Sequence, residues 1–317
     1  MLEGGRTDLA LLREGSSWEE VARDRARRAL ALRAAQYDRR DTDLALLRHL
    51  LKHEAEASMT DELRLAAVLV GLHGLAEDLP LLYEVRETTY DTWCGLGGMP
   101  EPGESGDRLR EWAEGLDYSC FGTDPSDETL FTWTGLAREQ GMVELARVAL
   151  IRLLDDIDFR AYQNERQGKS PDSLDTAQLR SLAYELEDLG DTFQALRAHR
   201  LYVPLESSVQ NRVPALLKLA RLERQTGRLA AAISTLAQLR DALARPAEDT
   251  PPYWRGTNLG AFIVEEHHEL AAAAAADGSL TEGVREVTEA ATALLAELSE
   301  AARASVRPVS TPESPAS

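Results

Sequence analysis

Cysteine is scarce in this chain: only Cys94 and Cys120 occur among 317 residues. Two thiols cannot build a disulfide framework, and their scarcity points to a reducing compartment. Aromatic residues make up only 6%, and β-branched residues are also few, which weighs against strands. No apolar run approaches the length of a membrane span. The N-terminus lacks the apolar core of a secretory signal, so a soluble cytoplasmic protein is expected. Positive charge is in deficit, with 35 Lys and Arg against 54 Asp and Glu and a net charge of −19. A surface of that sign repels phosphate backbones and anionic lipid headgroups, so neither nucleic acid nor a membrane is expected as main partner.

Catalytic and cofactor motifs are lacking too. There is no phosphate-binding Gly-x-x-x-x-Gly-Lys-[Ser/Thr] loop and no Gly-x-Gly-x-x-Gly after a strand. Gly-x-Ser-x-Gly and His-Glu-x-x-His are absent. "GLGG" at 95–98 has no following helix suited to phosphate. No cofactor is expected. His49 and His53 stand one helical turn apart, a spacing able to chelate a metal, and Glu56 follows three residues on. Such pairs are more common on solvated helices, and no metal site is assigned from them. Glu265 and His268 form one Glu-x-x-His, whereas di-metal bundles need two such motifs and two further Glu.

What is present is helix-forming: Ala, Leu, Arg and Glu dominate. Three segments, "WTGLAREQGMVELA", "LAYELEDLGDTFQA" and "LARLERQTGRLAAA", align on Gly141, Gly190 and Gly227. A bulky residue stands eight positions before each glycine (Trp133, Leu182, Leu219) and a small one follows it (Thr134, Ala183, Ala220). An alanine comes five positions after each (Ala146, Ala195, Ala232). A looser copy carries Leu270, Ala271, Gly278 and Gly283. The pattern is that of an αα-hairpin: glycine ends one helix in the left-handed conformation, and small residues let the antiparallel partner approach. The glycines are 49, 37 and 51 residues apart, so insertions are expected at 158–174, around Lys169-Ser170-Pro171, and at 246–260.

The segments built on Leu182, Ala183, Gly190 and Ala195, and on Leu219, Ala220, Gly227 and Ala232, resemble tetratricopeptide-type repeats, whose period is about 34 residues. The later aromatic and proline positions of that pattern are unmatched. The resemblance implies a protein-binding superhelix and no chemistry. A plain all-α bundle whose helices end in Gly is the competing reading. Around residues 42–90, helices at 42–53 and 61–73 lead into "LHG" and "EDLPLL", with Pro80 suited to a first turn. This part resembles HEAT-like repeats.

The expected organisation is therefore all-α, a right-handed superhelical αα-solenoid of stacked helical hairpins. Its expected parts are an N-terminal Arg-rich helix region at 1–40, HEAT-like hairpins with a Gly/Pro loop at 41–125, tetratricopeptide-like repeats at 126–303 and a disordered Pro/Ser tail at 304–317. Residues 1–15 are weakly patterned and expected to fray. Ser17 and Glu20 predict a capping box opening one helix with Trp18, Ala22, Ala26, Leu30 and Tyr37 on a buried stripe. Its arginines (Arg23, Arg25, Arg27, Arg28, Arg33, Arg39, Arg40) either dock an acidic partner or pair with the chain's own carboxylates, the safer expectation. Ser279 and Glu282 predict the start of a last helix.

Two stretches carry the candidate binding residues. Residues 88–107 read as a long Gly/Pro surface loop holding Tyr90, Asp91, Trp93 and Cys94, with packing the expected fate of Trp93. Tyr253, Trp254 and Arg255 are of the types enriched at interface hot spots and equally of the types that pin a loop to a helical stack. The leading functional expectation is a non-catalytic protein–protein interaction scaffold that holds a peptide or helical partner with basic segments in an acidic groove. The alternative is an enzyme or small-ligand sensor using the 90–98 loop. A homo-oligomer whose acidic repeats dock on the Arg-rich 23–40 helix is a third reading.

Overall fold

The helix expected from residue 18 onward breaks at Asp24, whose backbone is extended and whose carboxylate accepts from the amides of Ala26 and Arg27. A side chain that caps a helix so well ends the one before it. Ser17 takes a left-handed conformation without capping, and Glu20 turns instead to Arg27, so the predicted capping box does not form. The computed structural model describes residues 1–56, 58–168, 175–244, 253–278 and 280–307. These form an all-α structure of α-helices and short 3₁₀ turns, with no strand among the described residues. Lys169-Ser170-Pro171, residues 246–252 of the 246–260 insertion, Ser279 and residues 308–317 lie outside them.

The chain divides into two compact units, Met1–Ala149 and Leu150–Ser317. The first contains α1 (Leu2–Arg13), α2 (Trp18–Arg23), α3 (Arg25–Tyr37), α4 (Leu44–Glu54), α5 (Asp61–Gly71), α6 (Leu79–Arg86), α7 (Tyr90–Gly95), α8 (Gly106–Cys120) and α9 (Leu130–Glu139). Its core joins Leu9 and Leu12 of α1, Val21 of α2 and Leu32 of α3 to Leu50, Leu65, Leu82 and Leu109 of later helices. The start of the chain is thus a packed helix and not a frayed end. Gly4 and Gly5 look like helix breakers, yet a Cβ on Gly5 would stand 2.2 Å from the Leu30 carbonyl oxygen. Glycine here lets α1 lie directly on α3.

The arginines of α3 and of the segment that follows it are paired within the chain. Arg28 pairs with buried Glu54 at 2.5 Å, and buried Arg33 donates to Glu62 and lies near Glu128. Arg25 meets Glu139, Arg27 meets Asp8, and Arg39 meets Asp117. The chain's own carboxylates use these cations.

Helix α10 (Val143–Arg166) carries the boundary between the units. The second unit continues with α11 (Thr176–Asp188), α12 (Thr192–Tyr202), α13 (Val209–Gln225), α14 (Leu229–Ala244), α15 (Asn258–Asp277), α16 (Thr281–Glu297) and α17 (Glu300–Ala304). Helices pair as α11 with α12, α13 with α14 and α15 with α16. Gly190, Gly227 and Gly278 turn these pairs at φ between 70° and 74°, where an L side chain is strained. Leu182, Ala183, Ala220, Ala195 and Ala232 are buried at equivalent places in successive pairs. Gly283, in the alanine slot of the loosest copy, lies against Ile233: a Cβ would stand 2.6 Å from Ile233 Cδ1, so that side chain would have to shift to admit a methyl. Beyond α17, the Arg307 amide and guanidinium bond Glu265, so residues 304–307 are engaged rather than free.

Candidate functional site

Residues 90–98 are not the plain loop that their glycines suggest. Thr89 and Thr92 cap one another and open α7, and the irregular chain begins only after Gly95. Two short polar residues three apart do what a longer Ser/Glu pair does elsewhere. Trp93 is 47% exposed, against the expected packing, and its ring stacks on Tyr90, which is 77% exposed. The Arg86 guanidinium lies 5.6 Å from the Trp93 ring centre. Asp91 and Cys94 are exposed on the same turn. The four residues are brought together as outward-facing surface, and the neighbouring Cys94 thiol raises the Tyr90 hydroxyl pKa by hydrogen bonding and charge.

Tyr253, Trp254 and Arg255 form a 3₁₀ turn with a packing geometry. Pro214 lies inside α13 and has no N–H to give the Gln210 carbonyl. The Tyr253 hydroxyl donates to that carbonyl at 3.3 Å. Trp254 is buried, with its main-chain oxygen pressed against Gly260. Arg255 lies over the Trp254 ring, pairs with Glu297, and accepts from the Ser299 amide through its carbonyl. Sequence spacing could not reveal this, since Tyr253 and Gln210 are far apart in the chain.

In the second unit the first helices of the pairs are joined by ion pairs. Lys218 of α13 meets Glu187 of α11 at 2.5 Å. Arg224 of α13 bonds buried Glu266 of α15 at 2.7 Å and also reaches Glu269, while Arg221 lies 3.4 Å from Glu266. Tyr184 on α11 and Phe262 on α15 remain 41% and 40% exposed, with the Lys218 ammonium 6.0 Å from the Tyr184 ring. At helical spacing, Tyr184 shares a stripe with Glu187, Lys218 with Arg221, and Phe262 with Glu266 and Glu269. This surface of mixed charge and aromatic rings was missed at the sequence level, because its members are scattered over three helices.

Metal-ligating side chains converge at one place among the described residues. Glu19 of α2 and His49 and His53 of α4 hold ligand atoms within 4.8 Å of one another. His49 Nε2 faces Glu19 Oε1 at 3.6 Å, is shut off from solvent, and has no hydrogen-bond partner. Burial, reinforced by His53, lowers the His49 pKa below the ordinary imidazole range. Glu56 stands 3.8 Å from His53 Nδ1. Glu265 and His268 make no comparable cluster, since Glu265 is committed to Arg307. A cavity of about 500 Å³ in the first unit has Leu44, Leu47, Leu69 and Leu72 on its walls and Arg39 and Arg110 at its edge. Those cations are engaged, Arg39 by Asp117 and Arg110 by the carbonyls of Leu72 and His73. No family model, curated protein or solved structure matches the chain.

Proposed function

We propose that this chain is a non-catalytic interaction scaffold of the helical-repeat type, with the hairpins of its second unit continuing one another as a right-handed superhelical stack. In this reading α11, α13 and α15 line a groove that receives a peptide or helix with basic segments. The observation that carries it is the row of exposed rings and paired charges on those helices, Tyr184, Lys218, Arg221 and Phe262 among them. Rings flanked by charges supply anchors of the kind that dominate interfaces. The net charge of −19 supplies a long-range field that favours a basic partner. The outward-facing Tyr90–Trp93 pair favours a second contact surface over an enclosed small-ligand pocket at residues 90–98.

The test is fluorescence anisotropy with labelled amphipathic peptides, basic and acidic versions of one sequence. Basic peptides bind, acidic ones do not, and raised salt weakens the complex. Tyr184→Ala with Phe262→Ala lowers affinity about tenfold or more, the loss typical of truncated anchors, while the melting temperature stays within a few degrees. Equal binding of both peptide charges, or an affinity blind to the double substitution, would exclude the groove.

A further inference from the structure

We propose that Glu19, His49 and His53 form a binding site for one divalent transition-metal ion of the zinc type. The sequence supplies half of it, because histidines at i and i+4 project from one face of a helix. The fold supplies the rest by laying α2 across α4, so that Glu19 arrives from a second element. Ligand atoms of a tetrahedral zinc centre with bonds of 2.0–2.1 Å stand about 3.3 Å apart. The 3.6 Å between His49 Nε2 and Glu19 Oε1 is already close to that, and too long for a hydrogen bond.

Three further observations point the same way. His49 Nε2 is a buried polar atom with no partner, the kind of atom that native structures rarely leave unsatisfied. An ion between it and Glu19 would satisfy it. Arg23 pairs with the other Glu19 oxygen at 3.1 Å, which leaves Oε1 turned to the imidazole. Trp18 packs against the His49 ring at 5.3 Å between centres and restricts its orientation. Nitrogen and carboxylate donors in this ratio suit zinc and its first-row neighbours better than calcium or magnesium, which prefer all-oxygen shells. Three protein ligands leave a coordination position open. His53 also borders a surface cavity of about 480 Å³ lined by Arg23, Arg25 and Arg28, through which water or an anion reaches the ion. The site lies in the first unit and does not depend on the partner-binding face proposed for the second.

The experiment uses the full-length chain with any histidine tag removed. Zinc binding is measured by equilibrium dialysis against a competing chelator, and cobalt(II) is added separately to record visible absorption. The wild type takes up one zinc per chain, and the cobalt form shows the d–d bands of a low-coordinate nitrogen and oxygen site. His53→Ala loses the bound equivalent. Glu19→Gln, on a side chain 60% exposed, keeps the fold and weakens zinc by about tenfold or more, as changes around a metal centre do. Circular dichroism of each metal-free variant verifies folding. No zinc on the wild type, or zinc held with unchanged affinity by both variants, would overturn the proposal.

Discussion

His199 and His267 are imidazoles held neutral inside the second unit. Both nitrogens of His199 lack hydrogen-bond partners, and its ring packs between Tyr184 and Tyr202. Burial, helped by Lys218, pushes its pKa down to about 4. His267 sits 2.7 Å from the Ile263 carbonyl through Nδ1, and Arg240 approaches its Nε2. Burial again brings its pKa down to about 4. An unfolded histidine titrates near 6.5, so the unfolded chain gains these protons first. The stability owed to keeping the rings neutral is complete above about pH 6.5 and declines as the pH falls towards 4. By pH 5 each ring is expected to cost about 2 kcal/mol. Urea unfolding at pH 7 and pH 5 measures this directly. His199→Phe should lose less stability over that interval than the wild type; an equal loss in both would show that other groups set the slope. None of this was legible in the sequence, where His199 and His267 carry no pattern separating them from surface histidines. The histidine spacing at 49 and 53 was legible, but Glu19 lies 30 residues earlier on another helix, and only packing brings it there.

Among the elements, local signals were readable and long-range ones were not. Glycine at the ends of the hairpin helices, with small residues around it, acts through its own turn, so the pattern around Gly190 and Gly227 could be read directly. Helix α1 could not, because Gly5 is there for a backbone 25 residues away. The 3₁₀ turn at 253–256 shows the same limit and permits a sharp test. If Tyr253 serves the carbonyl that Pro214 leaves without an amide, the two positions are coupled. Tyr253→Phe alone should cost about 1 kcal/mol, the usual net value of one hydrogen bond. In a Pro214→Ala background the restored amide can serve Gln210 itself, and the cost of Tyr253→Phe should shrink towards zero. A double-mutant cycle by chemical denaturation measures that coupling. Strict additivity would mean that the hydroxyl and the proline act independently.

For the whole molecule the governing quantity is net charge. Most arginines are committed to the chain's own carboxylates: Arg13 to Asp38 and Asp43, Arg48 to Asp78, and Arg197 to Asp155 and Asp158. Pairing of this kind cancels charge in place and leaves the excess of acids as a field over the surface. Exposed pairs contribute little stability individually, so the stronger consequence of the imbalance concerns encounter with other molecules. The field extends over roughly 10 Å at 0.1 M salt and shrinks as salt is added. A basic partner of the proposed kind would therefore be drawn in from a distance, while the contacts that hold it would act only after docking. These two stages separate in kinetics. In stopped-flow mixing with a basic peptide that binds, raised salt should lower the association rate constant steeply and leave dissociation nearly unchanged. Tyr184→Ala with Phe262→Ala should do the reverse, speeding dissociation about tenfold with little change in association. A salt effect confined to dissociation would place the charges inside the contact instead of in the approach. The acidic surface would then be a means of solubility, and the partner would have to be sought by the chemistry of the exposed rings.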